Sequence, residues 1–580
     1  MSGECVAHDP AGNGRCGDWL LLVDGLATPP APRRSGAWRA VFSGGGRTLY
    51  LAPPRSPGWV GSPLRDVALV DGDRAWVFGD VKVDGPAIDR AFEDGDFSAL
   101  GGRFLLLAWV DGAFEVVTDR FNTLHAYSLG DDDRAVGSSF FAVSATSQRR
   151  LDWLALTTFF ACGFFLAGGT FWDDVRCFEP ARRYRLGSAR SGERHWRWRH
   201  GPETRRGPTE TVEEFADVFA RVVTDASAGG VALPLSGGLD SRALCAAAPA
   251  SDLRWSFGYG YRPDSVEIRI ARRLAEVRGL AFGSFVIEPY LADRVETALE
   301  LLEGFQDVTQ TRQLAIASTL AQRAGRVLGG HWGDVWLDDM GLDPRADESQ
   351  VLAHTLRKLR KRGRRWLLEH LCAPALGADP EAQLEARVGE ELRPYGEIGD
   401  ADFRLKAFKT DHWSSRWTLG SVRAYQAAAW PVLPFYDPRL TDFFATVPTA
   451  QLVDRRLELD YLLRFAPELA RVPWQETGAG LHRSRRAAYW LGLPRRAVAK
   501  AWRTARRRPV LERNWEVQLL SPSGRRLLDE RLLAPGLRLH DLVAPTAVRA
   551  LLDDFFARPD AGLGYVVSML LTFAVFLERA

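Results

Sequence analysis

A turn between an apolar run and a helix-forming segment carries the clearest chemical signal in this sequence. Residues 231–247 read VALPLSGGLDSRALCAA, so that Ser236, Gly237 and Gly238 follow a predicted buried strand. Glycines at such a turn let backbone N–H groups approach an anion closely, and the N-terminus of the following helix adds a favourable partial charge. The hydroxyls of Ser236 and Ser241 can donate hydrogen bonds to phosphate oxygens. The stretch therefore predicts a phosphate-binding turn, with a plain capped Gly-Gly turn as the alternative.

Two aspartates indicate a cation at the same place. Asp240 would repel a bare phosphate, and Mg²⁺ held by one or two carboxylates together with phosphate oxygens would remove that repulsion. A second apolar run, VLGGHWGDVW at 327–336, places Asp334 in another predicted strand-end loop. Carboxylates from two such loops can hold one or two Mg²⁺ ions around a pyrophosphate. Asp338 and Asp339 follow closely, and a solvated acidic loop is the simpler interpretation of that pair.

The elements that would position these loops follow from an alternation of strand and helix patterns after residue 211. The segment TVEEFADVFARVVTDA has apolar residues at helical spacing and begins with a Thr-x-x-Glu capping box. Predicted strands then alternate with predicted helices, and the remainder, from about residue 350, reads mostly helical. This alternation predicts an α/β fold with a parallel, doubly wound sheet and a helical C-terminal part.

The region before residue 211 has a different character. From about 38 to 186 it consists of short apolar or alternating runs separated by glycine and Asp-Gly turns, which predicts a β-rich domain. Residues 187–210 are polar, basic and interrupted by glycine and proline, as in a linker. The predicted domains are therefore 1–186 and 211–580, joined by 187–210.

Composition narrows the functional classes. A chain of 580 residues is too long for one core, and a net charge of +2 gives no nucleic-acid signature. Six cysteines without CxxC pairing argue against a zinc ribbon or a disulfide framework and favour a reducing cytosol. The N-terminus lacks the pattern of a signal peptide. The apolar segment at 151–169 is interrupted by one aspartate and three glycines, so we expect a buried helix and turn, and a soluble cytoplasmic protein.

The Ser-Gly-Gly-Leu-Asp-Ser turn resembles the pyrophosphate loop of the asparagine synthetase-like family of N-type ATP pyrophosphatases. Four later segments resemble family motifs in the right order: SFGYGYRPDSVEIRIARRLAEVRGL, GGHWGD, VLPFYDPRLTDFFATVP and LELDYLLRFAPELA. Upstream, the segments at 101–129 and 169–186 resemble the end of the family's Ntn-type glutaminase domain and the connection that leaves it. The resemblance covers most of residues 38–475.

The resemblance implies an enzyme that adenylates a carboxylate with ATP, releases pyrophosphate and lets an amine attack the adenylate. Mg²⁺ would be held by Asp240 and Asp334. The residues that would contact ATP are Leu235, Ser236, Gly237, Gly238, Leu239, Asp240, Ser241, Phe257, Gly258 and Gly330.

The N-terminal half departs from the family pattern. A working glutaminase domain of this type needs a cysteine at the mature N-terminus, but Ser2 occupies position 2 and the first cysteine is Cys5. Cys16 with its following glycine resembles the family's opening Cys-Gly, and its use would require removal of fifteen leading residues. VFGDVKVDG stands where the family has a glutamine-binding Asn-Gly-Glu segment. We therefore expect a scaffold without glutaminase activity, and ammonia or a substrate amine as the nucleophile.

The synthetase half departs as well. His331 stands where relatives usually carry an acid, and a neutral imidazole with an ordinary pKa near 6.5 could accept the proton that an attacking amine sheds. The alternative is that His331 only braces its loop. Asp460 stands where many relatives have a lysine, so another cation must meet the pyrophosphate charge. The candidates are Arg242, Lys406, Lys409, Arg416 and Arg464, and His331, Arg242 and Arg464 are taken as catalytic candidates.

The sequence does not identify the carboxylate substrate, which could be a small molecule, a peptide or a glycan. Asparagine formation is the family's default reaction, and a lasso-peptide or β-lactam type cyclase and a uronic-acid amidating enzyme are the alternatives within it. From another class, the chain could be an inactive scaffold that binds a nucleotide or a partner.

The arginine-rich stretch at 483–513 reads as a solvated helical face or as a docking surface for an acidic partner or a membrane. A homodimer is compatible with the family, and no nucleic-acid partner is expected.

Overall fold

A computed structural model describes residues 14–26, 31–55, 58–81, 84–98, 100–188, 192–484 and 513–579. Most of the basic stretch predicted to be a solvated face or a docking surface, residues 485–512, lies outside the described residues.

The N-terminal half is built from two antiparallel sheets, which confirms the predicted β-rich region. A seven-stranded sheet has the order β1-β5-β6-β7-β8-β12-β13, and a six-stranded sheet has the order β11-β9-β10-β2-β4-β3. The strands are β1 Arg15–Cys16, β2 Asp18–Val23, β3 Arg39–Gly44, β4 Arg47–Ala52, β5 Ser62–Ala68, β6 Arg74–Gly79, β7 Phe104–Val110, β8 Ala113–Thr118, β9 Tyr127–Leu129, β10 Ala135–Gly137, β11 Val175–Cys177, β12 Arg182–Arg185 and β13 Glu193–Arg194. Alternate side chains of the two sheets, including Trp76 and Leu107 from one and Trp19 and Leu21 from the other, form a shared core.

The second half contains the predicted parallel sheet. Its strands are β14 Val231–Pro234, β15 Leu253–Gly260, β16 Phe282–Val286, β17 Arg326–Leu328 and β18 Trp430–Val432. Their order is β16-β15-β14-β17-β18, and every neighbouring pair is parallel. From β14 the chain first builds outward through β15 and β16, and then returns to place β17 on the other side. The carboxyl ends of β14 and β17 thus flank the topological switch point, where open α/β sheets bind their ligands.

Helices cover the parallel sheet and form most of the C-terminal part, as predicted. They are α1 Gly85–Asp94, α2 Phe140–Val143, α3 Trp153–Cys162, α4 Pro208–Ser227, α5 Asp240–Ala247, α6 Val266–Arg278, α7 Leu291–Leu302, α8 Ala317–Arg323, α9 Gly333–Trp336, α10 Glu348–Leu359, α11 Arg364–Leu367, α12 Ala373–Leu376, α13 Pro380–Leu392, α14 Ala401–Phe408, α15 Leu419–Arg423, α16 Pro438–Phe444, α17 Arg456–Phe465, α18 Pro467–Arg471, α19 Leu481–Ser484, α20 Asn514–Leu519, α21 Pro522–Leu528, α22 Pro545–Ala557 and α23 Ala561–Arg579. A π-helical segment, Lys409–Thr418, continues α14.

The predicted start of the helix after residue 211 was wrong. α4 begins three residues earlier, at Pro208, and the carboxylate of Glu210 accepts a hydrogen bond from the N–H of Gly207 at 2.9 Å. Proline suits this first position because its missing N–H has no partner there in any case. Thr211 therefore lies inside the helix, and part of the segment predicted as a linker is helical.

Two apolar helices are packed inside the described structure. The segment considered as a membrane candidate forms α3, which ends at Gly163 in a left-handed conformation and is buried along most of its length. α23 was not singled out from the sequence, although it is long and apolar enough, by length and composition, to cross a membrane. Of the most apolar 18-residue stretch of α23, 72% is buried. Its Phe576 stacks on Phe171 of the N-terminal half, with 3.7 Å between the ring centroids.

The two halves are joined through polar contacts as well as through this core. The indole of Trp430 on β18 donates to Asp80 at 2.7 Å, and Arg103 donates to the carbonyl of Pro431. Between the predicted domains, the buried indole of Trp198 donates to Asp411 at 2.8 Å. The first two bonds join the N-terminal half to the edge strand of the parallel sheet, and the third joins the predicted linker to the π-helical segment.

Candidate active site

The turn after β14 is closed by its own serine hydroxyls. Ser236 Oγ lies 3.0 Å from Ser241 Oγ, and it accepts the N–H of Gly238 at 3.2 Å. A Cβ on Gly237 would lie 2.5 Å from Oε1 of Gln475, whose backbone N–H donates to the Gly237 carbonyl at 3.1 Å. Glycine is needed there because the loop around Gln475 covers the turn. The sequence did not indicate that covering residue.

The turn after β17 touches the first turn directly. A Cβ on Gly330 would lie 3.3 Å from the Cβ of Asp240, and one on Gly333 would lie 2.9 Å from Asp240 Oδ1. Between them, Trp332 takes a φ of 76°, a left-handed conformation that costs a bulky residue on the order of 1–3 kcal/mol. Its indole donates to Thr410 at 3.0 Å and so helps to hold this backbone. Two glycines and one strained tryptophan bring the loop against Asp240.

Carboxylates converge where the two turns meet. Burial, together with the charges of Asp334 and Asp338, raises the pKa of Asp240 to about 7, against the opposing effect of Arg455. Burial and the neighbouring Asp339 raise the pKa of Asp338 to about 6. Asp334 itself is exposed. The charge of Asp334 therefore acts on Asp240, and their sharing of a cation stays a prediction. Asp338 belongs to the same cluster, which the sequence interpretation as a solvated loop had left out.

Arg455 is the cation that the described structure places on Asp240. Its guanidinium bonds to Asp240 Oδ1 and lies 2.7 Å from Glu458 Oε2, while its backbone N–H donates to Asp338 at 3.2 Å. Burial raises the pKa of Glu458 to about 8 although Arg455 opposes the shift. Arg455 has a φ of 58°, a left-handed backbone conformation, at the point where its side chain contacts Asp240. Sequence reasoning missed Arg455, which stands in no motif.

The sequence profile of the asparagine synthase family matches residues 214–577, which is more than half of the 580-residue chain. The chain belongs to the asparagine synthase family. No curated protein matches the chain. Both turns and Arg455 lie within the matched domain. The family to which this domain belongs has ATP-dependent amidotransferase and ligase chemistry.

Several residues predicted to contact ATP turn their side chains into the core of this asparagine synthase domain. Leu235, Leu239 and Phe257 are almost fully buried. The Leu235 N–H donates to the Phe257 carbonyl at 2.7 Å, and a Cβ on Gly258 would lie 3.2 Å from the Leu235 carbonyl. These residues therefore shape the ends of β14 and β15, and any contact with a nucleotide would come from their backbone.

Arg242 and Arg464 point away from the carboxylate cluster. Arg242 is fully buried and donates to the carbonyls of Leu469, Val472 and Pro473 at 3.2, 2.8 and 2.8 Å. This side chain braces the segment after α17. Arg464 lies exposed on α17 and pairs with Glu213 on α4. The described geometry gives neither residue a contact with the two turns.

Of the other candidate cations, Lys409 lies in the field of the cluster. Arg416 donates to the carbonyls of Ala167 and Gly169 in the N-terminal half, and Lys406 is buried beside Asp402. Burial lowers the pKa of Lys409 to about 8, and Asp334 is the foremost charge that opposes this shift. The charges of Asp338 and Asp339 also act on Lys406. Arg455, Lys409 and Lys406 are thus the cations that the described structure brings near the carboxylate cluster.

His331 lies on the second turn with an imidazole that strongly prefers to be neutral. Burial, reinforced by the charges of Arg312 and Arg103, lowers its pKa to about 4. Its Nδ1 atom is buried and has no hydrogen-bond partner among the described residues. The expectation of an ordinary pKa near 6.5 was therefore wrong. A group with so low a pKa is neutral throughout the physiological range but is a weaker base than predicted.

The oxygen ligands present fit a magnesium ion only in part. Among the described residues, no group of three or more His, Cys, Asp and Glu side chains is arranged to hold a metal. Mg²⁺, however, commonly takes one or two carboxylates and completes its shell with water and phosphate oxygens. The meeting of Asp240 with the loop that bears Asp334 supplies carboxylates of that kind.

The cysteine that resembles the family's opening residue lies in a closed environment. Cys16 is buried, and its Sγ donates to the Asp18 carbonyl at 3.1 Å. Burial and the charge of Asp18 raise the pKa of this thiol. Arg34, which pairs with Asp18 at 2.6 Å and lies over the Trp59 ring at 4.3 Å, lines the same cavity. All five described cysteines are free and buried.

Proposed function

We propose that this asparagine synthase family member is an ATP-dependent ligase that adenylates a carboxylate and converts the adenylate to an amide. The substrate carboxylate would attack the α-phosphorus of ATP and displace pyrophosphate. An amine would then attack the acyl carbon, lose a proton and displace AMP. The observation that supports this most directly is the contact between the two strand-end turns, with Gly333 against Asp240 at the switch point of the parallel sheet.

The residues of the two turns have distinct tasks in this proposal. Backbone N–H groups at Gly237 and Gly238, with the hydroxyls of Ser236 and Ser241, bind the pyrophosphate. Asp240 and Asp334 would hold Mg²⁺, which when bound would neutralise phosphate charge. Lys409, whose pKa is lowered by burial, is our candidate for the cation that replaces the family lysine at Asp460.

The proposed nitrogen source is ammonia or a substrate amine. The thiol of Cys16 is buried and its pKa is raised, which disfavours the thiolate that a glutaminase needs. In the place of the family's Asn-Gly-Glu segment, Asp80 accepts the indole N–H of Trp430 from the synthetase half and faces Arg103 of its own half at 3.7 Å. Its carboxylate is therefore already engaged. These contacts support a structural role for the N-terminal half. The free thiols also fit the cytoplasmic location that we expect.

Substrate-dependent ATP–pyrophosphate exchange tests the adenylation step. Asp240→Asn removes one carboxylate charge from the cluster, and we expect exchange to fall by at least about 100-fold because the metal and its phosphates lose a ligand. Asp217→Asn is the matched control, since Asp217 is exposed on α4. Equal exchange rates in the two variants would contradict the proposed site.

The nitrogen source is tested by comparing glutamine with ammonium as the only donor. We expect amide formation with ammonium or an amine, no glutamate release from glutamine, and no effect of Cys16→Ala on turnover with ammonium. Glutamate release that disappears in Cys16→Ala would show that the N-terminal half is an active glutaminase.

A further inference from the structure

Arg455 bonds to the oxygen of Asp240 that faces the turn after β17. Its guanidinium contacts Asp240 Oδ1. The same Oδ1 atom lies 2.9 Å from the position that a Cβ on Gly333 would take, and Gly333 precedes Asp334 in the chain. A metal ion held between Asp240 and Asp334 needs the Asp240 oxygen on this side. Arg455 and the proposed metal ion therefore compete for one carboxylate oxygen.

The other partner of Arg455 is a carboxylate that is closed to solvent. The guanidinium lies 2.7 Å from Glu458 Oε2, and the side chain of Glu458 is 0% exposed, whereas that of Asp240 is 23% exposed. Breaking a buried ion pair is strongly destabilising because it leaves a buried charge without a partner, so the bond to Glu458 is the one that Arg455 keeps. The bond to Asp240, on the more open side, is the one that can be exchanged.

The backbone holds Arg455 in place immediately before α17. Asp454 and Arg455 both have a φ of 58°, a left-handed conformation that residues other than glycine rarely adopt. The N–H of Arg455 donates to Asp338 Oδ1 at 3.2 Å, which ties this turn to the carboxylate cluster. A strained turn that is fixed in this way points to a functional role for the side chain that it carries.

The charge on Arg455 requires an anion in place of Asp240 if a metal ion takes that carboxylate. A guanidinium next to a divalent cation is repelled by it, and the phosphates of ATP are the anions that the proposed reaction brings to these turns. Arginine forms paired, charge-assisted N–H···O bonds with phosphate oxygens. Arg455 thus opposes the binding of a metal ion alone and favours the binding of a metal ion together with phosphates.

We propose that Arg455 exchanges Asp240 for the phosphates of ATP. In the free protein it bonds to Asp240, and when the metal–nucleotide complex binds it transfers that bond to a phosphate oxygen while it stays paired with Glu458. Arg455 is then a phosphate-binding residue in addition to Lys409, and it makes the binding of metal and nucleotide cooperative. The inference rests on the proposed function, which supplies the metal ion and the phosphates.

Binding of Mn²⁺ to the full-length protein without nucleotide tests the competition for Asp240. Mn²⁺ takes the same oxygen ligands as Mg²⁺, and its paramagnetic resonance signal reports the free ion. Arg455→Met removes the competing cation, so we expect it to bind Mn²⁺ about 10- to 100-fold more tightly than wild type, the effect of one charge-assisted bond. Arg456→Met removes an exposed charge from the next residue and should leave Mn²⁺ affinity unchanged.

Inorganic pyrophosphate tests the transfer to the phosphates. With saturating Mg²⁺, we expect Arg455→Met to bind pyrophosphate about 10- to 100-fold more weakly than wild type, because the phosphates lose the guanidinium. The affinities for Mn²⁺ and for pyrophosphate thus change in opposite directions, which a merely structural role of Arg455 does not produce. Mn²⁺ binding to Arg455→Met that is undetectable, or no tighter than to wild type, would overturn the proposal, and so would an unchanged affinity for pyrophosphate.

Arg455→Lys keeps the test decisive if the methionine variant does not fold. An ammonium group cannot bridge two carboxylates as a guanidinium does, so this variant should bind Mn²⁺ at least about three-fold more tightly than wild type. An affinity equal to that of wild type would contradict the competition between Arg455 and the metal ion.

ATP–pyrophosphate exchange by the wild-type protein separates this inference from the proposed function. If the Mn²⁺ and pyrophosphate affinities change as expected but wild type shows no exchange with a panel of amino acids and other carboxylic acids, the binding role of Arg455 stands and adenylation does not. If wild type shows exchange but Mn²⁺ binds equally to wild type and Arg455→Met, the ligase stands and the exchange of partners by Arg455 does not.

Discussion

Acidification should lower the free energy of unfolding because the native state keeps His331 neutral. Its pKa is lowered to about 4, first by burial and then by the positive charges of Arg312 and Arg103. In the unfolded chain the same imidazole has a pKa of about 6.5. The unfolded state therefore binds more protons than the native state between these two values, and stability is lost as the pH falls through this window.

The magnitude follows from the two pKa values. Above about pH 6.5 the imidazole is neutral in both states and has no effect, whereas below about pH 4 the full penalty of about 3 kcal/mol applies. Between about pH 7.5 and pH 5.0 the free energy of unfolding should fall by about 2 kcal/mol on account of this one group. His331→Asn retains a neutral hydrogen-bonding side chain that does not titrate. The free energy of unfolding of this variant should therefore fall by about 2 kcal/mol less than that of wild type between the same pH values.

The free energy of unfolding is measured for wild type and for His331→Asn at pH values of about 7.5 and about 5.0. The change between the two pH values is taken for each protein, and the double difference is the change in wild type minus the change in the variant. Other titrating groups contribute equally to the two proteins and cancel. Carbon-13 labelling of histidine gives a direct check, because the resonance absent from His331→Asn should keep its neutral chemical shift from about pH 8 to pH 5. In the same range, amide formation should show no step near pH 6.5.

Three results would refute this reasoning. They are a double difference below about 0.5 kcal/mol, a histidine resonance that titrates near 6.5 and vanishes in His331→Asn, or an amide-forming step with a limb near pH 6.5 that this variant removes. The last result would restore His331 as the base predicted from the sequence.

The remaining predictions concern the neighbourhood of Asp240. Gly333→Ala should abolish ATP–pyrophosphate exchange, because the added methyl would lie 2.9 Å from Asp240 Oδ1, and exchange at the wild-type rate would contradict the packed turns. Arg455→Met should lower the free energy of unfolding by about 3 kcal/mol, since it leaves buried carboxylates unpaired, and exchange should fall with it. Arg464→Met should change unfolding by less than about 0.5 kcal/mol and leave exchange intact, because Arg464 and Glu213 form a half-exposed pair; a loss of exchange alone would return Arg464 to the site.

The sequence by itself determined the parallel sheet, the two turns and the family. The turn after β14 was predictable because its hydroxyls, glycines and aspartate lie within six consecutive residues, and their chemistry depends on local backbone geometry. The alternation of strand and helix was predictable for the same reason, since each period is set by neighbours in the chain. The start of α4 was misplaced because Thr-x-x-Glu and Pro at the first turn are both valid local signals, and the Gly207–Glu210 bond decided between them.

Only the tertiary structure decided which charged groups meet. Arg455 reaches Asp240 across 215 residues of sequence, so no local pattern could reveal the pair. Arg464 belongs to a family motif, yet the direction of its helix face places it against Glu213. The pKa of His331 depends on burial and on charges brought in from Arg312 and Arg103, one of which belongs to the other half of the chain. Residue types fix which interactions a side chain can make, but desolvation and Coulomb energy depend on distances that exist only after the segments have packed.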